Sequence, residues 1–211
     1  MVGSVLKERT MGLTGRAVTP THMPVYVGLL RAVNLGAGTM VPMEALRTLL
    51  RKEGFQDVQT LLQSGNIVFR SSASNGSELE RPLGEKIARA FRVKTDLFLR
   101  SAKEWKAILT ANPFVGEAKD DPARLVVLVL HAAPPAERWQ TLREAIRGRE
   151  LVRAAGRHGF IYYPDGQGRS KFTVALIESK LGTQGTVRNW NTASKLGALA
   201  GALERPGLPS P

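Results

Sequence analysis

The sequence predicts an α+β protein made of two ferredoxin-like subdomains, the second incomplete, followed by a C-terminal helix. Over residues 24–100 the apolar patterns follow the order β-α-β-β-α-β, which is the order of the split βαβ unit. The segment QSGN, residues 63–66, is a tight hairpin turn that makes the two strands around it antiparallel. This disfavours a doubly wound parallel sheet. The second half of the chain repeats the same order less completely.

Each element of the first half has its own local signal. The apolar run at residues 25–30 is typical of a buried strand, and Pro42 suits the first turn of the helix that follows. Residues 58–62 and 67–69 form the strands of the hairpin, and residues 96–99 form a fourth strand. Two capping boxes predict where the other two helices begin, and they pair Ser77 with Glu80 and Ser101 with Glu104.

The second half repeats this pattern with weaker signals. Residues 123–130, ARLVVLVL, form a strand, and residues 150–155 and 159–164 form a second hairpin. Helices are predicted at residues 134–148 and 171–181, and the last helix starts from about Asn191. We expect Ser170 to cap the second of these helices, and Asn191 or Thr192 to cap the last one.

Composition divides the chain into five parts. Residues 112–122, NPFVGEAKDDP, are rich in turn-forming and charged residues and are interpreted as a linker. The ends of the chain carry little apolar patterning, and Met23 is a candidate for the true start. The predicted parts are a weakly ordered extension (1–23), a first subdomain (24–111), the linker (112–122), a second subdomain with the C-terminal helix (123–203) and a disordered tail (204–211).

The chain is basic, but its excess charge is spread evenly. The formal net charge is +12, of which residues 1–23 carry +2 and residues 24–115 and 116–211 carry +5 each. No block of five or six like charges occurs, which disfavours nucleic acid as the partner. The chain has no cysteine, no apolar run near the ~20 residues that span a bilayer, and no secretory signal. We expect a cytoplasmic protein without a membrane partner, and the oligomeric state stays open.

The sequence contains no complete catalytic or cofactor motif. Its three histidines are isolated from one another, so we expect no metal site. The pair Gly36 and Gly38 resembles a dinucleotide-binding loop, but Val41 stands where a third small residue is needed. The later DGQGRSK segment fails the P-loop spacing, because Lys171 follows Gly166 by only five residues. We expect no cofactor, and whether the protein is an enzyme stays open.

Three segments carry a resemblance to a known family. Residues 26–69, from YVGLLRAVNLGAG to QSGNIVF, together with YYPDGQGRSKF and TVRNWNTASKL, resemble the motifs of the domain of unknown function 1697 family, in the same order. The resemblance covers about residues 25–200. It implies two ferredoxin-like subdomains and no particular activity. Gly38 and Met40 stand where many members carry lysine, which weakens a phosphate-binding role for the first loop.

Two arginines have no explanation from capping or from an apolar stripe. Arg31 ends the first strand and Arg188 precedes the last helix, where a guanidinium is suited to bidentate recognition of a carboxylate or phosphate. We hypothesise an anionic pocket between the two halves. Its candidate ligand-binding residues are Arg31, Asn34, Gly36, Gln63, Asn66, Lys171, Arg188 and Asn189. The structural alternatives are a glycine turn at Gly36, a hairpin turn at QSGN and a helix cap near Asn189.

Three classes of function are compatible with these residues. The first is a binding protein for a small phosphate- or carboxylate-bearing ligand, and Arg169 and Lys171 could hold such an anion at the start of a helix. The second is a weak nucleic-acid-binding protein that uses a sheet face, where Tyr26, Phe69 and Phe98 would stack on bases. The third is a transferase or hydrolase with an arginine-lined pocket.

Overall fold

The computed structural model describes residues 23–36 and 38–205. Its first subdomain contains β1 (Val25–Leu30), α1 (Met43–Lys52), β2 (Gln56–Leu61), β3 (Asn66–Arg70), α2 (Gly76–Phe91) and β4 (Leu97–Ser101). Helices α3 (Ala102–Thr110) and α4 (Val115–Asp120) connect it to the second subdomain. That subdomain contains β5 (Leu125–Leu130), α5 (Ala136–Glu144), β6 (Leu151–Ala155), β7 (His158–Tyr162), α6 (Val174–Leu181) and β8 (Gly185–Asn189), and α7 (Trp190–Glu204) follows.

Both subdomains have the ferredoxin-like strand order. The sheets read β2-β3-β1-β4 and β6-β7-β5-β8, and the paired strands are antiparallel. The predicted α+β fold of two ferredoxin-like subdomains with a C-terminal helix is confirmed. The expectation that the second subdomain is incomplete is wrong, because β8 supplies its fourth strand. That strand, GTVRN, escaped the sequence analysis because it is short and places a threonine and an arginine among its central residues.

The two sheets face each other across a shared core. Alternate residues of β1 and β5 join one apolar cluster with Trp105 of α3 and Leu196 of α7, which lie between the sheets. The opposite face of the first sheet is covered by α1 and α2, and that of the second sheet by α5 and α6. Strands β1 and β5 are therefore buried on both faces, which explains why their sequences are apolar throughout.

The helix caps differ in part from the sequence analysis. The box of Ser101 and Glu104 is confirmed at the start of α3. Helix α2 is capped by Asn75 rather than Ser77, and α6 by Thr173 rather than Ser170. Helix α7 is capped by Asn189, whose side chain accepts a hydrogen bond from the Thr192 N–H, so it starts earlier than predicted. Each correction moves the cap to the residue whose extended backbone precedes the first helical turn.

The segment interpreted as a linker is partly ordered into the core. Within residues 112–122, Phe114 is buried in the cluster between the sheets and α4 follows it. Elsewhere, Arg70 of β3 donates hydrogen bonds to the carbonyl oxygens of Met23 and Leu203, which joins both ends of the described chain to that strand. The predicted disorder of residues 1–22 and 206–211 lies outside the described residues.

The glycine of the QSGN turn is required by two constraints. Gly65 has a φ of +70°, and a Cβ placed there would lie 2.7 Å from Leu30 Cβ and 2.7 Å from Val33 Cγ2. Gly156, in the turn between β6 and β7, has a φ of +62° and no such neighbours within 4 Å. Replacing Gly65 by alanine would therefore cause both backbone strain and overpacking, whereas replacing Gly156 would cause backbone strain alone.

We predict that Gly65→Ala lowers the free energy of unfolding by about 2–5 kcal/mol, since left-handed backbone costs ~1–2 kcal/mol and overpacking a further ~1–3 kcal/mol. The matched control, Gly156→Ala, should cost only about 1–2 kcal/mol. Urea unfolding of the two variants measures both values. Equal losses would contradict the packing argument.

Candidate functional site

Most of the predicted binding residues meet at one corner of the first subdomain. There the end of β1, the QSGN turn and β8 come together: the Asn34 side chain donates to the carbonyl oxygen of Gln63, and Arg188 Nε donates to Asn66 Oδ1. We call Arg31, Asn34, Gln63, Asn66 and Arg188 the junction cluster. Three separate stretches of the sequence therefore converge here. A ligand could bind only to those of their polar groups that are not already engaged by the protein.

Arg188 uses all five of its N–H donors on protein oxygens. Besides the Nε bond, Nη1 and Nη2 each donate twice, at distances of 2.7–3.0 Å. The five acceptors are Asn66 Oδ1, Thr186 Oγ1 and the carbonyl oxygens of Val187, Leu30 and Ser64. Burial lowers the pKa of Arg188 to about 10, so the guanidinium stays charged at neutral pH. With every donor engaged, this side chain joins β8 to the first subdomain.

Arg100 makes the reciprocal connection from the first subdomain to the second. It lies on β4, opposite Val27 of β1, as Arg188 lies on β8 opposite Val127 of β5. Arg100 Nη2 donates to the carbonyl oxygens of Leu130 and Arg157, at 2.6 and 3.2 Å. Each arginine thus reaches the end of the other subdomain's first strand and the neighbouring hairpin turn. We call Arg100 and Arg188 the interface arginines.

The two interface arginines differ in their counterions. Arg100 forms an ion pair of 3.1 Å with the buried Glu80, which also accepts from the Leu99 N–H and contacts His131 Nδ1 at 3.2 Å. Burial, repulsion from Arg157 and the opposing attraction of Glu80 leave the pKa of Arg100 at about 10. Arg188 has only neutral acceptors. The contact made by Arg100 of the first subdomain is therefore charge-neutralised, whereas the contact made by Arg188 of the second subdomain keeps its positive charge.

Glu80 stays ionised in this setting. Burial alone would raise its pKa, but the hydrogen bonds from His131 and the Leu99 N–H, together with the charge of Arg100, outweigh burial and lower the pKa below 4.5. The carboxylate is thus a fixed negative charge at the interface.

Arg31 also spans the interface rather than standing free. Its Nε and Nη2 donate to both carboxylate oxygens of Glu178 on α6, at 3.1 and 2.8 Å, and Asp96 lies 3.8 Å from Nη1. The counterpart on the other side is His131, which follows β5 as Arg31 follows β1 and contacts Glu80 of α2. This bidentate ion pair occupies the guanidinium edge that a carboxylate or phosphate ligand would use.

The loop after β1 is closed by its own hydrogen bonds. Asn34 Oδ1 accepts from the Val41 N–H at 2.7 Å, and Thr39 Oγ1 accepts from the N–H groups of Leu35 and Gly36. These three N–H groups, which a phosphate cradle could present, are therefore engaged within the described part of the loop. Asn189, the remaining predicted residue near this corner, caps α7. Ligand binding by the junction cluster stays a prediction, and it would require these bonds to be exchanged.

Lys171 lies apart from the junction cluster, in a cavity of the second subdomain. We call this space, of about 390 Å³, the basic cavity. It lies between the end of α5 and the loop that precedes α6. Its lining residues are Ala145, Arg147, Gly148, Glu150, Tyr163, Asp165, Gly166, Arg169, Ser170, Lys171, Phe172 and Leu176.

Three cations in the basic cavity lack a carboxylate partner. Arg147, Arg169 and Lys171 form no ion pair with any residue in the described part of the chain. Asp165, by contrast, is neutralised by Arg149, whose hydrogen bond and charge lower the pKa of that carboxyl. The sequence analysis singled out Arg169 and Lys171 but missed Arg147, because only the folded turn between α5 and β6 brings it beside them.

A second cavity, of about 460 Å³, lies between the subdomains and is acidic in character. Its wall includes the carboxylates of Glu80, Glu85 and Asp96, against Arg81 and His131. Arg81 is already paired with Glu85. The space between the halves is thus less suited to an anion than the basic cavity.

The sheet faces offer no surface for stacking nucleic-acid bases. Tyr26 and Phe69 lie beneath α1 and α2, and Phe98 lies between the two sheets, stacked on His131 at 3.9 Å between ring centroids. All three aromatic side chains expose 1% or less of their surface. These three side chains are therefore not accessible for stacking on nucleic-acid bases, which the predicted binding through a sheet face required.

In residues 23–36 and 38–205 no helix is long and apolar enough to cross a membrane, and no group of three or more His, Asp or Glu could hold a metal ion. The predicted cytoplasmic localisation stays a prediction.

The fold and its reciprocal arginine contacts define a class of protein with two ferredoxin-like subdomains packed sheet to sheet. The family described as "Protein of unknown function (DUF1697)" matches residues 23–160, and the chain belongs to that family. The predicted family is thereby confirmed. The match ends at residue 160, so the later motifs that contain Lys171 and Arg188 lie beyond it.

One solved structure is similar to the chain along most of its length. It is that of conserved bacterial protein SP0830 from Streptococcus pneumoniae, with a TM-score of 0.67 and 22% sequence identity. The likeness covers 85% of this chain and 99% of that one, and it shows a shared fold. A comparison with curated proteins finds no match.

We predict that Arg188→Ala lowers the free energy of unfolding by roughly 3 kcal/mol or more, because it removes charge-assisted hydrogen bonds and leaves buried carbonyl oxygens unpaired. Arg188→Lys should recover less than half of the loss, since an ammonium cannot reproduce the planar five-donor geometry. Urea unfolding measures the change, with the exposed Arg89→Ala as a control expected within about 0.5 kcal/mol of wild type. A loss no larger than that control would contradict the structural role.

Glu80 should make stability depend on pH in the acid range. Because its pKa is lower in the folded than in the unfolded chain, its contribution is present above pH 4.5 and is lost as the pH falls through the folded value. Glu80→Gln should cost roughly 3–5 kcal/mol at pH 7, by leaving Arg100 uncompensated, and should flatten the acid limb of the stability curve. The matched control is Glu85→Gln, on the exposed side of the same helix. If Glu80→Gln and Glu85→Gln showed the same dependence of stability on pH, the assignment of the acid-range dependence to Glu80 would be wrong.

Proposed function

We propose that the protein binds a small anionic ligand, bearing a phosphate or carboxylate group, in the basic cavity of the second subdomain. The observation that carries the proposal is the convergence of Arg147, Arg169 and Lys171 on one cavity without carboxylate partners among the described residues. Cations that line the same cavity repel one another, and a bound anion offsets that repulsion. The volume of the cavity lies within the range of small-molecule sites in proteins.

The surroundings of the three cations support binding rather than a merely solvated surface. Tyr163 and Phe172 are buried at the wall of the cavity, and the Tyr163 hydroxyl donates to the Phe172 carbonyl oxygen at 3.0 Å. Ser170 is fixed in turn, because its Oγ accepts from the Phe172 N–H at 2.9 Å. The backbone that carries Arg169 and Lys171 is therefore attached to the core of the subdomain, which reduces the entropy lost when a ligand binds.

The basic cavity is a different ligand position from the one that the sequence suggested. The hypothesis of a pocket between the halves joined Lys171 to Arg31 and Arg188, whereas the cavity wall includes Lys171 alone of those three. The donors of Arg31 and Arg188 are engaged with protein oxygens, and those of Arg169 and Lys171 are not engaged by carboxylates. The alternatives of weak nucleic-acid binding and of transferase or hydrolase activity stay predictions.

We predict that inorganic phosphate and pyrophosphate raise the melting temperature of the wild-type protein at constant ionic strength. The double variant Arg169→Ala, Lys171→Ala should bind them at least tenfold more weakly, because a single charge-assisted hydrogen bond contributes about 1.5–3 kcal/mol and a tenfold change corresponds to about 1.4 kcal/mol. Isothermal titration calorimetry measures the affinities, and differential scanning fluorimetry the stabilisation.

The matched control is Arg89→Ala, Lys103→Ala, which removes the same charge from exposed positions on α2 and α3. If the two double variants lose phosphate affinity equally, the effect is one of net charge and the site is wrong. If wild type shows no stabilisation by any phosphate or small carboxylate, the proposed function fails.

A further inference from the structure

Glu150 places an unpaired acceptor at the wall of the basic cavity. Its Oε1 accepts a hydrogen bond from the Ser170 hydroxyl, whereas its Oε2 is buried and has no hydrogen-bond partner among the described residues. Buried carboxylate oxygens are almost always hydrogen-bonded in folded proteins, so this unpaired oxygen is available to accept a hydrogen bond from a ligand. Two donor groups at the cavity wall are already used, since the Phe172 N–H is bonded to Ser170 and the Tyr163 hydroxyl to the Phe172 carbonyl oxygen.

The backbone beside Glu150 leaves room for its carboxylate. A Cβ at Gly148 would lie 2.6 Å from Glu150 Oε2 and 3.0 Å from Oε1, so any other residue would push the carboxylate away. Glu150 lies at the wall of the basic cavity, and the last torsion of a glutamate side chain is soft, so its carboxylate can turn towards the cavity. Burial, and to a lesser degree the nearby Glu150, raise the pKa of Tyr163, so the Glu150 carboxyl lies close to the phenol.

We propose that Glu150 selects phosphate monoesters that carry hydroxyl groups, such as sugar phosphates or polyol phosphates. This inference rests on the proposed function, because Arg147, Arg169 and Lys171 hold the phosphate. Glu150 Oε2 then accepts a hydrogen bond from a hydroxyl on the body of the same molecule. The residue is thus a specificity-determining residue of the basic cavity.

The charge of the cavity favours a hydroxyl over an ammonium as the donor. Three cations face one carboxylate that is not neutralised by the protein, since Asp165 is paired with Arg149, and this leaves a net charge of +2. A phosphate monoester carries close to two negative charges at neutral pH and balances that charge. A zwitterionic amino acid carries no net charge and would leave the excess in place. Neutral hydroxyl donors therefore satisfy both the unpaired oxygen and the charge.

The volume of the cavity fits the same class. At about 390 Å³ it is larger than inorganic phosphate requires, and it lies at the lower end of the range for small-molecule sites. A ligand that fills it has a body several atoms long beyond the phosphate, which is the reach needed to bring a hydroxyl to Glu150.

The test compares two phosphate monoesters that differ in their hydroxyl groups. Methyl phosphate has none and glycerol 3-phosphate has two, while both carry the same phosphate charge. Titration calorimetry of the wild-type chain should show glycerol 3-phosphate binding at least tenfold more tightly than methyl phosphate. In Glu150→Gln that ratio should fall to about threefold or less. The affinity for methyl phosphate should hold or rise in this variant, because a negative charge has been removed.

The outcomes separate this inference from the proposed function. If both esters bind wild type with equal affinity, selection by Glu150 is wrong and anion binding in the cavity stands. If neither ester binds, and inorganic phosphate also fails to bind, both proposals fail. If Glu150→Gln weakens both esters by the same factor, Glu150 has a structural role only and the inference is overturned. If Glu150→Gln does not fold, equal binding of the two esters by wild type still overturns the inference.

Discussion

The arrangement of this protein depends on two guanidinium groups that each enter the opposite subdomain. Arg100 and Arg188 lie on equivalent edge strands, and each donates hydrogen bonds to carbonyl oxygens at the end of the other half's first strand and in its hairpin turn. Hydrogen bonds from an ionised donor are about twice as strong as neutral ones, and their geometry is strict. These contacts favour the observed register of the two sheets, with α3 and α7 between them.

This interface removes surfaces that a single ferredoxin-like unit would offer. A lone sheet of this kind has one face covered by helices and one face open. Here the second face of each sheet is buried in the core that the two halves share with α3 and α7. The surface that such a sheet would otherwise offer for binding is therefore not accessible. The loops and cavities at the periphery stay accessible. The basic cavity, which lies on the far side of the second subdomain beside α5 and α6, is such a place.

Burial also decides which arginines are free to bind a ligand. A guanidinium surrounded by protein has to be satisfied by protein acceptors, because an unpaired buried charge is strongly unfavourable. Arg31 and Arg188 are satisfied in this way by Glu178 and by five neutral oxygens. Arg147, Arg169 and Lys171 are exposed, so their charges do not need acceptors from the protein. The two sets of cations therefore divide into those that join the subdomains and those that face a cavity.

The sequence alone determined the fold class, the hairpin at Gly65 and the capping box at Ser101, because these features depend on local patterning and turn chemistry. It also indicated that Arg31, Asn66 and Arg188 belong together. Only the tertiary structure decided what they do there, since hydrogen-bond partners more than a hundred residues apart leave no local signal. Strand β8 was missed for the same reason: its arginine is stable in a sheet only because Leu30 and Ser64 of the other half accept its hydrogen bonds.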